Sequence, residues 1–366
     1  MQSSRLSTSI FVTAQSPTGA SGTARASLID GSPCSSRHTE RHADGHESAL
    51  GVLDGVDDLE CLGRLNQLQR WASMETMSYV LPSDVDQRPI SVIGGGTLGR
   101  RIAMMFSAGG SRVQLFSRSA DSREAAKRFV DEHASSVREQ IGLAARSPGT
   151  VEFFDAPQPA VATAWLIIEA VSEDLALKKQ VFRELDRLAE SDAVLATNSS
   201  SYPSSRLLDA VGSPERLLNV HFQMPPELIA VELMSCGRTD AAVIDALVER
   251  LPRYGLVPFT VRRESVGFLF NRIWHATRRE CLMVVAEGVS TPEEVDRIWR
   301  LSLGTPLGPF RLMDRIGLDV ALAVEEHYAT IRDGIPTAPR ELLRDYVDKG
   351  FLGVKSGRGF YDDYGD

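Results

Sequence analysis

A chain of 366 residues, 43% of them hydrophobic, is long enough for two compact domains with enclosed cores. A net charge of −9 without any basic run disfavours nucleic acid or an acidic membrane surface as a partner. The longest apolar runs, such as WLIIEAV at residues 165–171, fall short of the roughly 20 residues that span a bilayer, and Cys34, Cys61, Cys236 and Cys281 show no zinc or thioredoxin-type spacing.

Residues 1–85 are rich in Ser, Thr and Gly without sustained periodicity, and are expected to be mostly disordered. A weak apolar pattern in LECLGRLNQLQRW, residues 59–71, is the exception. The first 29 residues carry Arg5 and Arg25 and no acid, a composition compatible with a mitochondrial presequence. A non-native extension is the rival reading, with Met74 or Met77 as a start close to the ordered domain. The cysteines point to a reducing compartment, the cytoplasm by default and the mitochondrion as the alternative.

From Ile90 onward, short β-branched runs alternate with amphipathic segments, the texture of a parallel sheet flanked by helices. Strands are expected at ISVIGG, at residues 112–117, 150–154, 164–171, 193–198 and 217–222, and then at 229–234 and 257–262. Val181, Phe182, Leu185, Leu188 and Ala189 recur at helical spacing, so their helix lays one apolar face on the sheet. Strand signals stop near Glu264, and the rest reads as helices interrupted by GTPLGPF and closed by KSGRGFYDDY. The expected fold is α/β: a Rossmann-type doubly wound sheet over residues 86–264, then an all-helical C-terminal domain over 265–366.

Gly94, Gly96 and Gly99 satisfy G-x-G-x-x-G between a strand and a helix. The first permits a tight turn, the second removes a side chain that would block a pyrophosphate, and the third lets helix and strand pack closely. With Thr97 and Leu98 between the last two, the turn offers helix N-terminal amides to phosphate, although a glycine turn alone can be purely structural. Where such sites usually place an acid for the ribose, this chain has Ser117 followed by Arg118. A serine and a guanidinium suit a 2′-phosphate, so the cofactor is NAD or NADP with NADP favoured; the rival is a solvated strand-end Arg118.

The order IGGGTLG, IIEAVSEDLALKKQVFREL, ATNSSS, NVHFQMPP, VELM, VGFLFNR, GTPLGPFRLMDRIGLD and KSGRGFY resembles the 3-hydroxyacyl-CoA dehydrogenase family over nearly all of residues 90–361. The resemblance implies an oxidoreductase that interconverts a 3-hydroxyacyl substrate, a CoA thioester first of all, and its 3-keto form. It implies that His221 is the general acid/base and Glu232 its orienting carboxylate, and that Ser200 and Asn271 hold the reacting oxygen. Glu173, Lys178 and Asn198 correspond to positions near the nicotinamide, and the family implies a homodimer, with the helical domain over 265–366 assigned to substrate binding and dimerisation. The chemistry suits these residue types. Histidine titrates near working pH, a carboxylate fixes its tautomer, and hydroxyl and amide donors stabilise alkoxide-like charge. Taken singly, His221 also reads as a strand-end residue, Ser200 as a turn or cap, and Glu173 and Lys178 as first-turn helix residues.

The chain also departs from the family pattern. Met224 stands where an amide is expected, the segment from Pro225 to Glu232 is one residue shorter, and the helical insertion at about residues 121–146 is shorter. Lys127, Arg128, Arg138 and Arg146 are within reach of a CoA phosphate, but a solvated helix face explains them as well. The rivals are a lambda-crystallin-like L-gulonate 3-dehydrogenase acting on a free hydroxy acid, and a dinucleotide-binding protein without turnover. A third, the β-hydroxyacid dehydrogenase or imine reductase group, would want a lysine near Asn271, where Arg272 stands.

Overall fold

The β-branched runs assemble into one eight-stranded sheet in the computed structural model, which describes residues 79–143 and 147–364. The strands are β1 Ile90–Ile93, β2 Arg112–Phe116, β3 Thr150–Phe154, β4 Leu166–Glu169, β5 Val194–Thr197, β6 Leu217–Met224, β7 Leu228–Ser235 and β8 Val257–Val261. Their spatial order is β3-β2-β1-β4-β5-β6-β7-β8, with every neighbouring pair parallel except the antiparallel β6 and β7. Buried on both faces, β1, β4 and β5 are close to continuously apolar, as central parallel strands require.

The helices α1 Thr97–Ala108, α2 Ala120–Gln140, α3 Pro157–Val161, α4 Leu175–Leu188 and α5 Ala241–Arg250 connect the strands. Asp174 caps α4 by accepting from the Leu177 amide at 2.7 Å. Phe182 and Leu185 of α4 are buried, with Val181, Leu188 and Ala189 packed beside them, which is the face its periodicity predicts. α2 fills most of the expected insertion between β2 and β3.

Five further helices come after β8: α6 Phe270–Ala286, α7 Pro292–Leu303, α8 Pro309–Ile316, α9 Leu318–Ile331 and α10 Ala338–Asp348. They share a core that includes Leu282, Phe310, Met313, Leu318 and Leu343. GTPLGPF ends α7 and starts α8, whose first amides, Phe310 and Arg311, donate to the Asp296 carboxylate at 2.8 and 2.9 Å. KSGRGFY closes the region, with the amides of Phe360 and Tyr361 each 3.0 Å from the Asp314 carboxylate. The architecture is therefore α/β with a helical C-terminal region, and no described helix is long and apolar enough to cross a membrane.

Residues 79–85, which by composition group with the polar extension, are built into the sheet domain. Tyr79 and Val85 are buried in its core, and the Tyr79 hydroxyl donates to the Asp192 carbonyl at 2.5 Å. Arg88 continues this attachment with two bonds of 2.9 Å to the Asp192 carboxylate. The readings that concern a presequence, Met74, Met77, the pattern at 59–71, Cys34 and Cys61 lie outside the described residues.

Candidate active site

Strand order reverses between β1 and β4, so the connections leaving their carboxyl ends diverge and open a crevice. Gly94 leaves β1 at φ 120°, and a Cβ there would stand 2.5 Å from the Ala170 carbonyl oxygen. A Cβ on Gly99 would stand 1.8 Å from the Gly94 oxygen, whereas one on Gly96 would meet no protein atom within 4 Å. The protein's own backbone thus demands the first and third glycines, and the second guards open space at the start of α1. No side chain caps α1 and its first turn holds no acid, so the turn through Thr97, Leu98 and Gly99 suits an anionic pyrophosphate.

A cleft of about 940 Å³ extends from Gly94 and Gly96 past Ser117 and Arg118 to Asp155 and Glu184. Ser117 is buried, yet its hydroxyl has no hydrogen-bond partner among the described residues. Arg118 is exposed. The Arg123 guanidinium donates to the Ser117 carbonyl at 2.6 Å and the Arg118 carbonyl at 3.1 Å, which fixes the backbone beneath both.

Farther along the sheet, the antiparallel register of β6 and β7 sets His221 opposite Glu232. Nδ1 of His221 lies 2.9 Å from Oε2 of Glu232, and both side chains are buried. The other carboxylate oxygen accepts from the amides of Leu269 and Phe270 at 2.8 and 2.9 Å, where α6 begins. Burial pushes the Glu232 carboxyl up, but the hydrogen bonds from His221 and the two amides outweigh it and hold the group below the ordinary carboxylate range. An ionised carboxylate only accepts, so Nδ1 carries the proton and Nε2 is left for a ligand. The Phe268 ring stacks on the imidazole, with centroids 4.8 Å apart and planes inclined by 23°.

The loop after β5 is tied to this pair through Asn198, whose side-chain oxygen accepts from the Phe222 amide at 2.8 Å. Lys178 is buried and binds inward, 2.7 Å from Glu169 and 3.1 Å from Glu173. Glu169, fully enclosed, also accepts from Thr197 at 2.7 Å and from the Val171 amide at 2.8 Å. Glu173 accepts from the Ser199 hydroxyl at 2.5 Å and the Ser201 amide at 2.9 Å. Burial raises the Glu173 carboxyl, and the bonds from Ser199, Lys178 and Ser201 bring it net below the usual range. Glu173 and Lys178 thus brace the loop that bears Asn198 and Ser200.

Ser200 is exposed on that loop and Asn271 is half-buried in the first turn of α6; neither side chain is hydrogen-bonded to the described residues, nor joined to His221. Among the other basic residues singled out, Arg128 pairs with Glu124 at 3.5 Å, and Arg138 is buried against the carbonyls of Ala108 and Leu143. Lys127 borders a cavity between α2 and β3, and Arg146 lies outside the described residues. Sequence reasoning passed over Glu169, Ser199, Phe268 and the two α6 amides. A carboxylate inside the apolar run WLIIEAV was the available signal for Glu169, whereas backbone amides leave no trace in residue identity.

Residues 89–265 match the model of the 3-hydroxyacyl-CoA dehydrogenase NAD binding domain, and residues 267–363 match that of the 3-hydroxyacyl-CoA dehydrogenase C-terminal domain. A 3-hydroxybutyryl-CoA dehydrogenase of Clostridioides difficile is 32% identical over 282 residues, covering 75% of this chain and 98% of its own. The 5-formyl-3-hydroxy-2-methylpyridine 4-carboxylate 5-dehydrogenase of Mesorhizobium japonicum is 31% identical over 281 residues, covering 75% of this chain and 90% of its own. Among solved structures, the (S)-3-hydroxybutyryl-CoA dehydrogenase of Ralstonia eutropha superposes with a TM-score of 0.66 at 29% identity, covering 75% of this chain and 98% of its own.

Proposed function

The chain belongs to the 3-hydroxyacyl-CoA dehydrogenase family, and on that premise we propose that His221 is the general acid/base of an NAD(P)-dependent interconversion of 3-hydroxyacyl and 3-ketoacyl substrates. The enzyme is an oxidoreductase with an NAD-binding Rossmann domain. The observation that carries the assignment of His221 is its Nδ1 bond of 2.9 Å to a carboxylate pinned by two helix amides. That arrangement leaves Nε2 to take the hydroxyl proton in oxidation and return it in reduction.

The turn from Gly94 to Gly99 would hold NAD(P), which when bound would supply or accept the hydride at C3. Glu232 keeps the imidazole in one tautomer and stabilises the imidazolium that forms when Nε2 is protonated. Ser200 and Asn271, whose polar groups have no partner among the described residues, donate to the substrate oxygen as charge builds on it. Asn198, braced through Glu173 and Lys178, sets the loop against the nicotinamide end of the crevice.

The substrate is a CoA thioester in this reading. A free hydroxy acid is the second reading. The cofactor preferred is NADP, because Ser117 and Arg118 border the cleft and the end of β2 carries no carboxylate. Exposed Ile273, Val289, Ile298, Leu301 and Leu303 support a homodimer through the helical region. Buried, unpaired Cys236 and Cys281 are in keeping with a reducing compartment, the cytoplasm or the mitochondrion.

A screen of acetoacetyl-CoA, longer 3-ketoacyl-CoAs and free keto acids, each with NADH and NADPH, tests the proposal by nicotinamide absorbance. Turnover of 3-ketoacyl-CoA with a preference for NADPH is expected. Ser117→Asp with Arg118→Ala should reverse that preference by roughly tenfold or more, since a charge-assisted bond contributes about 1.5 to 3 kcal/mol. An NADH preference unchanged by the double substitution would remove the 2′-phosphate role. Turnover of free keto acids alone would replace the thioester reading.

A further inference from the structure

Phe268 is the only residue other than glycine with a positive φ, 52°, among the described residues, and it directly follows Gly267 at φ 78°. A bulky L-residue rarely occupies this region, and such strain persists only where the surroundings over-determine it. Here they do. The Phe268 amide donates to the Ser265 carbonyl at 3.0 Å, and its own carbonyl accepts from the Ser265 hydroxyl at 3.1 Å. The Arg272 amide donates to the Gly267 carbonyl at 2.8 Å, while a Cβ on Gly267 would lie 2.1 Å from the Tyr328 hydroxyl. The constrained turn delivers a ring that is 2% exposed, packed with Met234 and Val261, and stacked on His221 at 4.8 Å.

The next two residues complete the pattern, because the Leu269 and Phe270 amides bind Glu232. Three consecutive residues leading into α6, Phe268 to Phe270, therefore touch the His221–Glu232 pair, one through a ring face and two through N–H groups. We propose that Phe268 is a positioning residue for the reaction: its ring fixes the plane of the His221 imidazole, and the segment 268–270 makes a correctly aimed dyad depend on the helical region being seated on the sheet domain. This rests on His221 being the acid/base, but the stacking contact itself is measurable without turnover.

The test compares Phe268→Leu, which keeps an apolar side chain and removes the ring, with Phe268→Tyr, which restores a ring. Turnover, cofactor affinity by NADH fluorescence, and the NMR shifts of the His221 ring protons are measured for each. The Phe268 ring current should displace the imidazole proton resonances, and Phe268→Leu should abolish that displacement. It should also lower kcat about five- to tenfold, the scale of a lost stacked pair, with the Kd for NADH within about twofold of wild type. Phe268→Tyr should recover both the displacement and most of kcat. Wild-type kcat in Phe268→Leu would overturn the proposal, as would slow turnover in a Phe268→Tyr enzyme that keeps the displacement. Unimpaired turnover of His221→Ala would instead sink the acid/base assignment while leaving the stacking measurement intact.

Discussion

Replacing Glu232 by glutamine removes one charge with almost no change in shape, so its effect isolates charge and hydrogen-bond direction from packing. One carboxylate oxygen accepts from His221 at 2.9 Å and the other from two amides at 2.8 and 2.9 Å, all within a buried setting. A carboxamide has a single oxygen. If that oxygen keeps the Leu269 and Phe270 amides, its NH2 group faces Nδ1 and forces the proton onto Nε2, the nitrogen that must accept one from substrate. If the amide flips, its NH2 opposes two N–H donors and the imidazolium loses its counter-charge. Either arrangement forfeits a charge-assisted bond of about 1.5 to 3 kcal/mol, or roughly 10- to 150-fold in kcat. The Gly94–Gly99 cradle is untouched, so NADH affinity should stay within about twofold. Steady-state nicotinamide absorbance gives kcat, and NADH fluorescence gives the Kd. A Glu232→Gln enzyme with wild-type kcat would refute the tautomer argument, and a matching loss of NADH affinity would show that the effect is not local to the proton-transfer pair.

The glycine cradle yields a paired prediction: Gly96→Ala should melt like wild type, since its Cβ meets no protein atom within 4 Å, yet bind NADH at least roughly tenfold more weakly. Gly99→Ala should lose thermal stability as well, because its Cβ would lie 1.8 Å from the Gly94 oxygen; equal melting of the two variants would contradict this division. Burial, then the charges of Arg278 and Arg279, push His275 down to about 3 from the ordinary 6.5. The unfolded chain therefore binds a proton that the folded chain refuses, and stability falls as pH drops below about 6.5. The carboxylates of Glu173 and Glu232, depressed in the fold, withdraw their stabilisation only as pH falls below the ordinary 4.5, and Asp314, which burial raises, acts in the opposite sense, so a loss of stability on acidification above 4.5 points to His275. His275→Leu should thus lose less Tm than wild type between about pH 6.5 and pH 5, and identical slopes would assign the acid sensitivity elsewhere. Deleting residues 1–76 should leave turnover unchanged, whereas extending the deletion through Arg88 should destabilise the enzyme by removing Tyr79, Val85 and the Arg88–Asp192 pair; thermal melting distinguishes the two.

All eight strands were legible as β-branched or apolar runs, most clearly the central β1, β4 and β5, which are buried on both faces and must be apolar along their length. The spatial order of those strands was not, since it depends on which face each crossover helix covers. His221 and Glu232 were legible through motif order, and the antiparallel register explains why residues 11 apart meet. Lys178 was harder to place. Its sequence position is that of an exposed first-turn residue of α4, but a carboxylate enclosed at the end of β4 draws the ammonium inward. Phe268 carried no chemical signal at all, because its importance lies in a backbone angle and a ring contact that residue type does not encode.

The most direct measurement of the central claim is the turnover of His221→Ala against wild type with 3-ketoacyl-CoA, alongside NADH binding to both. Loss of proton transfer from an intact cofactor cradle predicts a kcat lower by roughly a hundredfold or more, with the Kd for NADH essentially unchanged. Near-normal kcat in His221→Ala would contradict the account, because the proton would then be handled by a group other than the one Glu232 and α6 hold in place.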